Sequence, residues 1–130
     1  MPYTVTTNTT IASNQTLNLG LDPVFGIEIL EANSVTLTNL GVININAGSS
    51  SGIGIEAYVG STAHQTTFIN AAGATFAMTT SGQAGATGFR GSGDNIYFVN
   101  NGSFSVSAAN GWAQGVELGG DDDTVNLPSF

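Results

Sequence analysis

Nine carboxylates and one guanidinium carry almost all the ionic chemistry open to this chain of 130 residues. The densest group is Asp121-Asp122-Asp123, which follows Gly119-Gly120, and Asp94 sits in a related turn, Gly91-Ser92-Gly93-Asp94-Asn95. Asp side chains and turn carbonyls are hard oxygen donors of the kind Ca²⁺ takes, about six to eight at a time. The run lacks the iterated Gly-Gly-x-Gly-x-Asp of calcium β-rolls, so a solvated acidic turn competes with a calcium site. His64 is the only histidine, and there is no cysteine. Neither a Ser-His-Asp nor a Cys-His set can be assembled, and one histidine makes a poor metal centre. Arg90 with Asp94 is the only charged pair that a polysaccharide-cleaving groove could use. The chain therefore reads as a non-enzyme, with calcium as its only candidate cofactor.

Aromatic side chains offer a second kind of chemistry. Trp112 lies in the loop-like segment Asn110-Gly-Trp-Ala-Gln114, and Tyr58 and Tyr97 are candidates for an outer face. Exposed aromatics stack on sugar rings or anchor interfaces. Threonines at 6, 7, 36, 38, 66 and 67 suggest a flat hydroxyl array suited to glycan or ice. Tyr97 interrupts that array.

Charge narrows the partners further. A net charge of −8 disfavours nucleic acid and anionic membranes, which would be repelled. Divalent cations, neutral glycans and further copies of the chain remain. Charged residues make up only 8%, against roughly 25% in an average soluble domain. The surface is accordingly solvated by hydroxyls and amides. No apolar run approaches the ~20 residues of a membrane span. The start, Met-Pro-Tyr-Thr-Val-Thr-Thr, has neither the basic nor the apolar region of a signal peptide. The expectation is a mature or excised extracellular chain, or one exported without an N-terminal signal.

These residues are positioned by a repeat. One block recurs as Asn33-Ser-Val-Thr-Leu-Thr-Asn39, His64-Gln-Thr-Thr-Phe-Ile-Asn70, Asp94-Asn-Ile-Tyr-Phe-Val-Asn100 and Asp122-Asp-Thr-Val-Asn-Leu-Pro128. A glycine follows the first three, and then a second alternating run: Val42–Asn46, Thr75–Met78 and Ser103–Ser107. A third block, Gly26-Ile-Glu-Ile, Gly54-Ile-Glu-Ala, Gly88-Phe-Arg-Gly and Gly115-Val-Glu-Leu, recurs in the same order. Alternation marks strands buried on one face, and Gly and Asn suit the corners between them. The reading is an all-β fold, a short parallel β-solenoid (β-helix) of about four coils of ~30 residues, with three strands per coil. A β-sandwich also has short strands at this spacing, but it does not repeat its own sequence. The chain divides into an N-terminal coil (1–34), repeat coils at 35–65, 66–95 and 96–123, and a partial coil at 124–130.

Stacking such coils aligns equivalent residues. Val35, Leu37, Phe68, Phe98, Val125 and Leu127 are expected inward from one strand. Ile43, Ile45, Phe76, Met78, Phe104 and Val106 come from the second, and Ile27, Ile29, Ile55, Phe89, Val116 and Leu118 from the third. Asn39, Asn70 and Asn100 share a position and can form an amide ladder or simply end their strands. Glu28, Glu56, Arg90 and Glu117 share an outward column in which Arg90 can bridge Glu56 and Glu117 and hold the register. The expected ends are a single Thr-rich strand, Tyr3–Ile11, and a partial coil. Tyr3, Val5 and Ile11 at one end and Val125, Leu127 and Phe130 at the other would support head-to-tail homopolymerisation.

The stretches Leu37–Ile45, Phe98–Val106 and Gly115–Leu127 resemble the repeats of bacterial autotransporter passengers and related secreted β-helical adhesins. That resemblance implies export to the cell surface and an adhesive or matrix role. The expected function is a self-assembling fibre or adhesin building block. The alternatives are a glycan- or ice-binding module and a fragment of a larger adhesin passenger.

Overall fold

The computed structural model describes residues 2–30, 34–59 and 64–127. Its strands are β1 (Tyr3–Val5), β2 (Thr9–Ile11), β3 (Thr16–Leu19), β4 (Phe25–Leu30), β5 (Val35–Asn39), β6 (Val42–Asn46) and β7 (Gly52–Val59). They continue as β8 (Thr66–Asn70), β9 (Thr75–Thr80), β10 (Ala86–Gly93), β11 (Ile96–Asn100), β12 (Ser103–Ala108), β13 (Ala113–Gly119) and β14 (Thr124–Asn126). Every third strand pairs in parallel, giving three sheets: β1-β4-β7-β10-β13, β2-β5-β8-β11-β14 and β3-β6-β9-β12. The fold is an all-β parallel solenoid of about four turns with no helix among the described residues. Accordingly, no described helix is long and apolar enough to cross a membrane.

Coil length follows from the register. On the second sheet Thr9, Leu37, Phe68, Phe98 and Val125 are successive partners, 28, 31, 30 and 27 residues apart. The last register differs from the repeat alignment by one position. Tyr97 pairs with Thr124 and Phe98 with Val125, so Asp94 stacks on Asp121 rather than on Asp122. Asn95 and Asp122 then occupy the same corner, and both have φ of 59°. That left-handed angle costs Asn and Asp less than other residues with a side chain, so both residues suit this corner.

The N-terminal segment also departs from expectation. Tyr3–Ile11 is two strands on two different sheets, turned at Thr6–Asn8, and Thr16–Leu19 is a third strand that the repeat pattern does not reveal. Three- and four-residue strands are too short to display alternation, so only their pairing with β4, β5 and β6 defines them. Val5 and Ile11 are buried in the core.

The interior changes character along the axis. Ile27, Ile29, Leu37, Ile43, Ile45 and Ile55 fill the upper coils. Below them, Phe68, Phe76, Phe89, Phe98 and Phe104 converge from all three sheets. Phe76 and Phe104 stack at 4.5 Å between ring centroids, and Phe98 meets Phe104 edge-on at 5.1 Å. Phe104, Val106, Val116 and Leu118 are only partly buried because they lie in the last coils. Val125 and Leu127 are not core residues: they are 44% and 55% exposed, since no described coil covers them.

Glycine makes the narrow interior possible. Gly26, Gly54, Gly88 and Gly115 head their blocks, and ladder pairing skips this position between every neighbouring pair of strands. A Cβ on Gly54 would lie 2.6 Å from the Gly88 carbonyl oxygen and 2.9 Å from the Phe76 ring. One on Gly88 would strike Val106 and Phe104. At Gly54 and Gly88 the first sheet approaches the third too closely for any side chain, whereas Gly115 in the last coil meets open space.

Candidate functional site

The outer face of the first sheet carries the charged column. Thr4, Glu28, Glu56, Arg90 and Glu117 stack in register on β1, β4, β7, β10 and β13. Arg90 Nε donates to Glu56 Oε2 at 2.7 Å, and Ser92 Oγ donates to Glu56 Oε1 at 2.6 Å. Glu56 is an outward residue yet only 1% exposed, whereas the Arg90 side chain is 36% exposed. Arg90 does not bridge two carboxylates: among the described residues its ion pair is with Glu56, and Glu117 stands exposed on the far side. A bidentate bridge would have to reach two coils at once. Instead Ser92, two residues further along β10, completes the carboxylate's hydrogen bonding.

Beside this pair runs a groove of about 260 Å³. It is lined by Ser51, Gly52, Ile53, Ala84, Gly85, Thr87, Arg90, Trp112 and Glu117. Trp112 is 55% exposed. Its ring rests on Gly85, where a Cβ would lie 2.8 Å from ring atom Cδ2 and closer still to the Trp112 carbonyl oxygen. Gly85 has φ of +93°, and the following amide, Ala86 N–H, donates to Trp112 O at 2.9 Å. The absent side chain on one coil thus seats the indole of the next. The sequence marks Trp112 but gives no sign of Gly85 as its seat, because the two are 27 positions apart and no pattern links them.

The asparagine column lies at the corner between the second and third sheets. Asn39 Nδ2 donates to Asn70 Oδ1 at 2.9 Å and to Thr75 O at 2.9 Å. Asn70 Nδ2 repeats the pattern one coil on, to Asn100 Oδ1 and Ser103 O, both at 2.8 Å. Asn39 and Asn70 are fully buried. Each amide spends both N–H groups on the coil below, so it ties that coil and satisfies the first carbonyl of a strand on the third sheet. A second, exposed pair, Asn44 Nδ2 to Asn18 Oδ1 at 3.0 Å, lies on the third sheet.

No family model matches the chain. Comparison with curated proteins and with solved structures finds no match either. The geometry therefore stands alone as the guide to function.

The acidic turn is spent largely on backbone. Asp94 Oδ1 accepts from Asp121 N–H at 2.8 Å, and Asp123 Oδ1 accepts from Ile96 N–H at 2.8 Å. Asp121 and Asp122 are exposed. Among the described residues, no three His, Cys, Asp or Glu side chains are grouped to hold a metal ion. The threonine array is likewise interrupted. Thr36, Thr67, Tyr97 and Thr124 share one column, and Thr10 and Thr38 are followed by Ile69 and Val99. Thr67 is buried and its hydroxyl accepts from Gln65 Nε2.

The expected assembly residues fall into two groups. Val5 and Ile11 are core, while Tyr3, Val125 and Leu127 reach the ends of the solenoid; Phe130 lies outside the described residues. A recess of about 270 Å³ opens across the first coil, lined by Tyr3, Thr10, Ile11, Gln15, Thr16 and Leu17 from all three of its strands.

Proposed function

We propose that this chain is a non-catalytic structural protein of the cell surface or extracellular space. It is a fibre or adhesin building block that polymerises by coil-on-coil strand stacking. The reading is supported by the two described ends, which differ from each other and are uncovered by any described coil. One end has a recess between β1, β2 and β3, and the other presents Val125 and Leu127 to solvent. Both ends leave strand edges whose N–H and C=O groups are unpaired with any described strand, which is the template that β-augmentation uses. A contact between two different ends cannot close on itself by two-fold symmetry, so it propagates. The sparse charge, the single basic residue and the likeness of the repeats to secreted β-helical adhesins agree with an extracellular setting.

Substitution at the exposed end tests the reading. Val125→Lys with Leu127→Lys replaces two exposed residues that lie outside the core cluster, so the circular dichroism spectrum and thermal midpoint should remain near those of the parent. Light scattering should then show concentration-dependent mass growth in the parent and none in the variant. Equal assembly of both proteins would overturn the proposal, as would a parent that stays monomeric.

A further inference from the structure

We propose that the groove beside Trp112 is a binding site for a neutral saccharide, independent of end-to-end assembly. The groove lies on the side of the solenoid, across β7, β10 and β13, and crosses two inter-strand steps, about 10 Å along the axis. Its lining combines three features that a sugar ring uses together. The Trp112 indole offers a flat apolar face, held in place by its contact with Gly85. A pyranose presents a matching face of C–H groups, and aromatic rings with one wet side suit it. Arg90 supplies donors and Glu117 supplies acceptors to the hydroxyls on the ring's edge.

Arg90 is prepared for this role. Its Nε is committed to Glu56, and Glu56 is itself held by Ser92, so the guanidinium is fixed, and among the described residues its terminal N–H groups take no hydrogen bond. Binding therefore costs little side-chain ordering. Glu117 shares the groove but makes no ion pair with Arg90. A fixed donor and an exposed acceptor, not ion-paired with each other, beside an aromatic platform suit a ligand carrying both kinds of group. A polyanion would meet Glu117 and a chain of net charge −8. The groove is smaller than the ~300–1,000 Å³ that encloses a drug-sized molecule, so it holds a short stretch of a longer glycan.

Trp112 is the only tryptophan, so its fluorescence reports on this groove alone. Cellotetraose, laminaritetraose, chitotetraose and mannotetraose would be titrated into the protein at concentrations where it is monomeric, with tetragalacturonate as the anionic control. The expected result is a saturable change in Trp112 emission with at least one neutral tetrasaccharide. Glu117→Ala should weaken it at least tenfold while leaving the unliganded emission and circular dichroism unchanged. Calorimetry on Trp112→Ala should show the same loss, and Trp112→Phe should recover part of it. No saturable change with any neutral sugar overturns the proposal. So does tighter binding of tetragalacturonate, or binding that Glu117→Ala and Trp112→Ala leave intact. Because every reading is taken on the monomer, these outcomes do not depend on whether the chain polymerises.

Discussion

Asn39 and Asn70 are 31 residues apart in sequence, yet the amide of one donates to the amide of the other across 2.9 Å in the protein interior. The bond recurs from Asn70 to Asn100, and each donor amide also holds the first carbonyl of a strand on the third sheet. The column therefore joins successive coils and two of the three sheets at one corner. Buried amides are costly unless every polar atom is matched, and repetition at the coil spacing supplies the match.

Asn70→Ala should consequently be among the most destabilising polar substitutions in the chain. It removes the acceptor of Asn39 and the donor to Ser103 O at once, and each orphaned buried group costs about 1–3 kcal/mol. Asn100→Ala, at the half-buried end of the ladder, should cost less. Urea unfolding of the two variants side by side checks the order.

The glycine column makes a sharper contrast. Gly54→Ala should lose about 1–3 kcal/mol, because its methyl group would overlap the Gly88 carbonyl and the Phe76 ring. Gly115→Ala occupies the same column but meets nothing within 4 Å. It should be neutral, or stabilising by a few tenths of a kcal/mol through the unfolded chain. Similar thermal midpoints for the two variants would contradict the packing described for the first and third sheets.

Arg90→Ala should destabilise the protein by about 2 kcal/mol. It strips the ion partner from a buried carboxylate, although the solvent-facing part of Arg90 keeps the loss below the ~3–5 kcal/mol of a fully enclosed pair. Adding Glu56→Gln to that variant removes the stranded charge and should restore much of the loss. A double-mutant cycle in denaturant measures the coupling.

Asp123 serves the fold through Ile96. Asp123→Ala orphans that amide and should cost about 1–3 kcal/mol, with or without calcium in the buffer. A thermal shift of the parent on adding millimolar calcium, absent in Asp123→Ala, would instead establish the acidic turn as an ion site.

Much of this organisation is legible in the sequence, for a physical reason. Stacked coils repeat their environment, so Leu37, Phe68 and Phe98, or Asn39, Asn70 and Asn100, recur at the coil spacing and can be aligned by eye. The same logic brings Glu28, Glu56, Arg90 and Glu117 into one column. It fails where the environment stops repeating. Among the described residues the first coil is paired on one side only, and its strands β1, β2 and β3 are short and carry little pattern. At the other end, two adjacent Asp residues fit the Asp94 corner in two registers, and the one adopted pairs Asn95 with Asp122 in left-handed geometry and lets Asp94 and Asp123 accept backbone N–H groups across the coils.

The candidate groove was less legible than the fold. Trp112, Arg90 and Glu117 stand out as residue types, but their meeting depends on which coil corner lies beside which strand. Glu56 shows the same limit. Alternation places it outward, and its burial comes from Arg90 and Ser92 on the next coil, a cover that no local pattern encodes.

Negative-stain electron microscopy of the purified chain over a range of concentrations distinguishes coil-on-coil polymerisation from a monomer. Thin unbranched filaments one solenoid wide are expected, each copy adding about four coils, or roughly 20 Å, to the length. Uniform particles of a single 13.2 kDa chain at every concentration would contradict it.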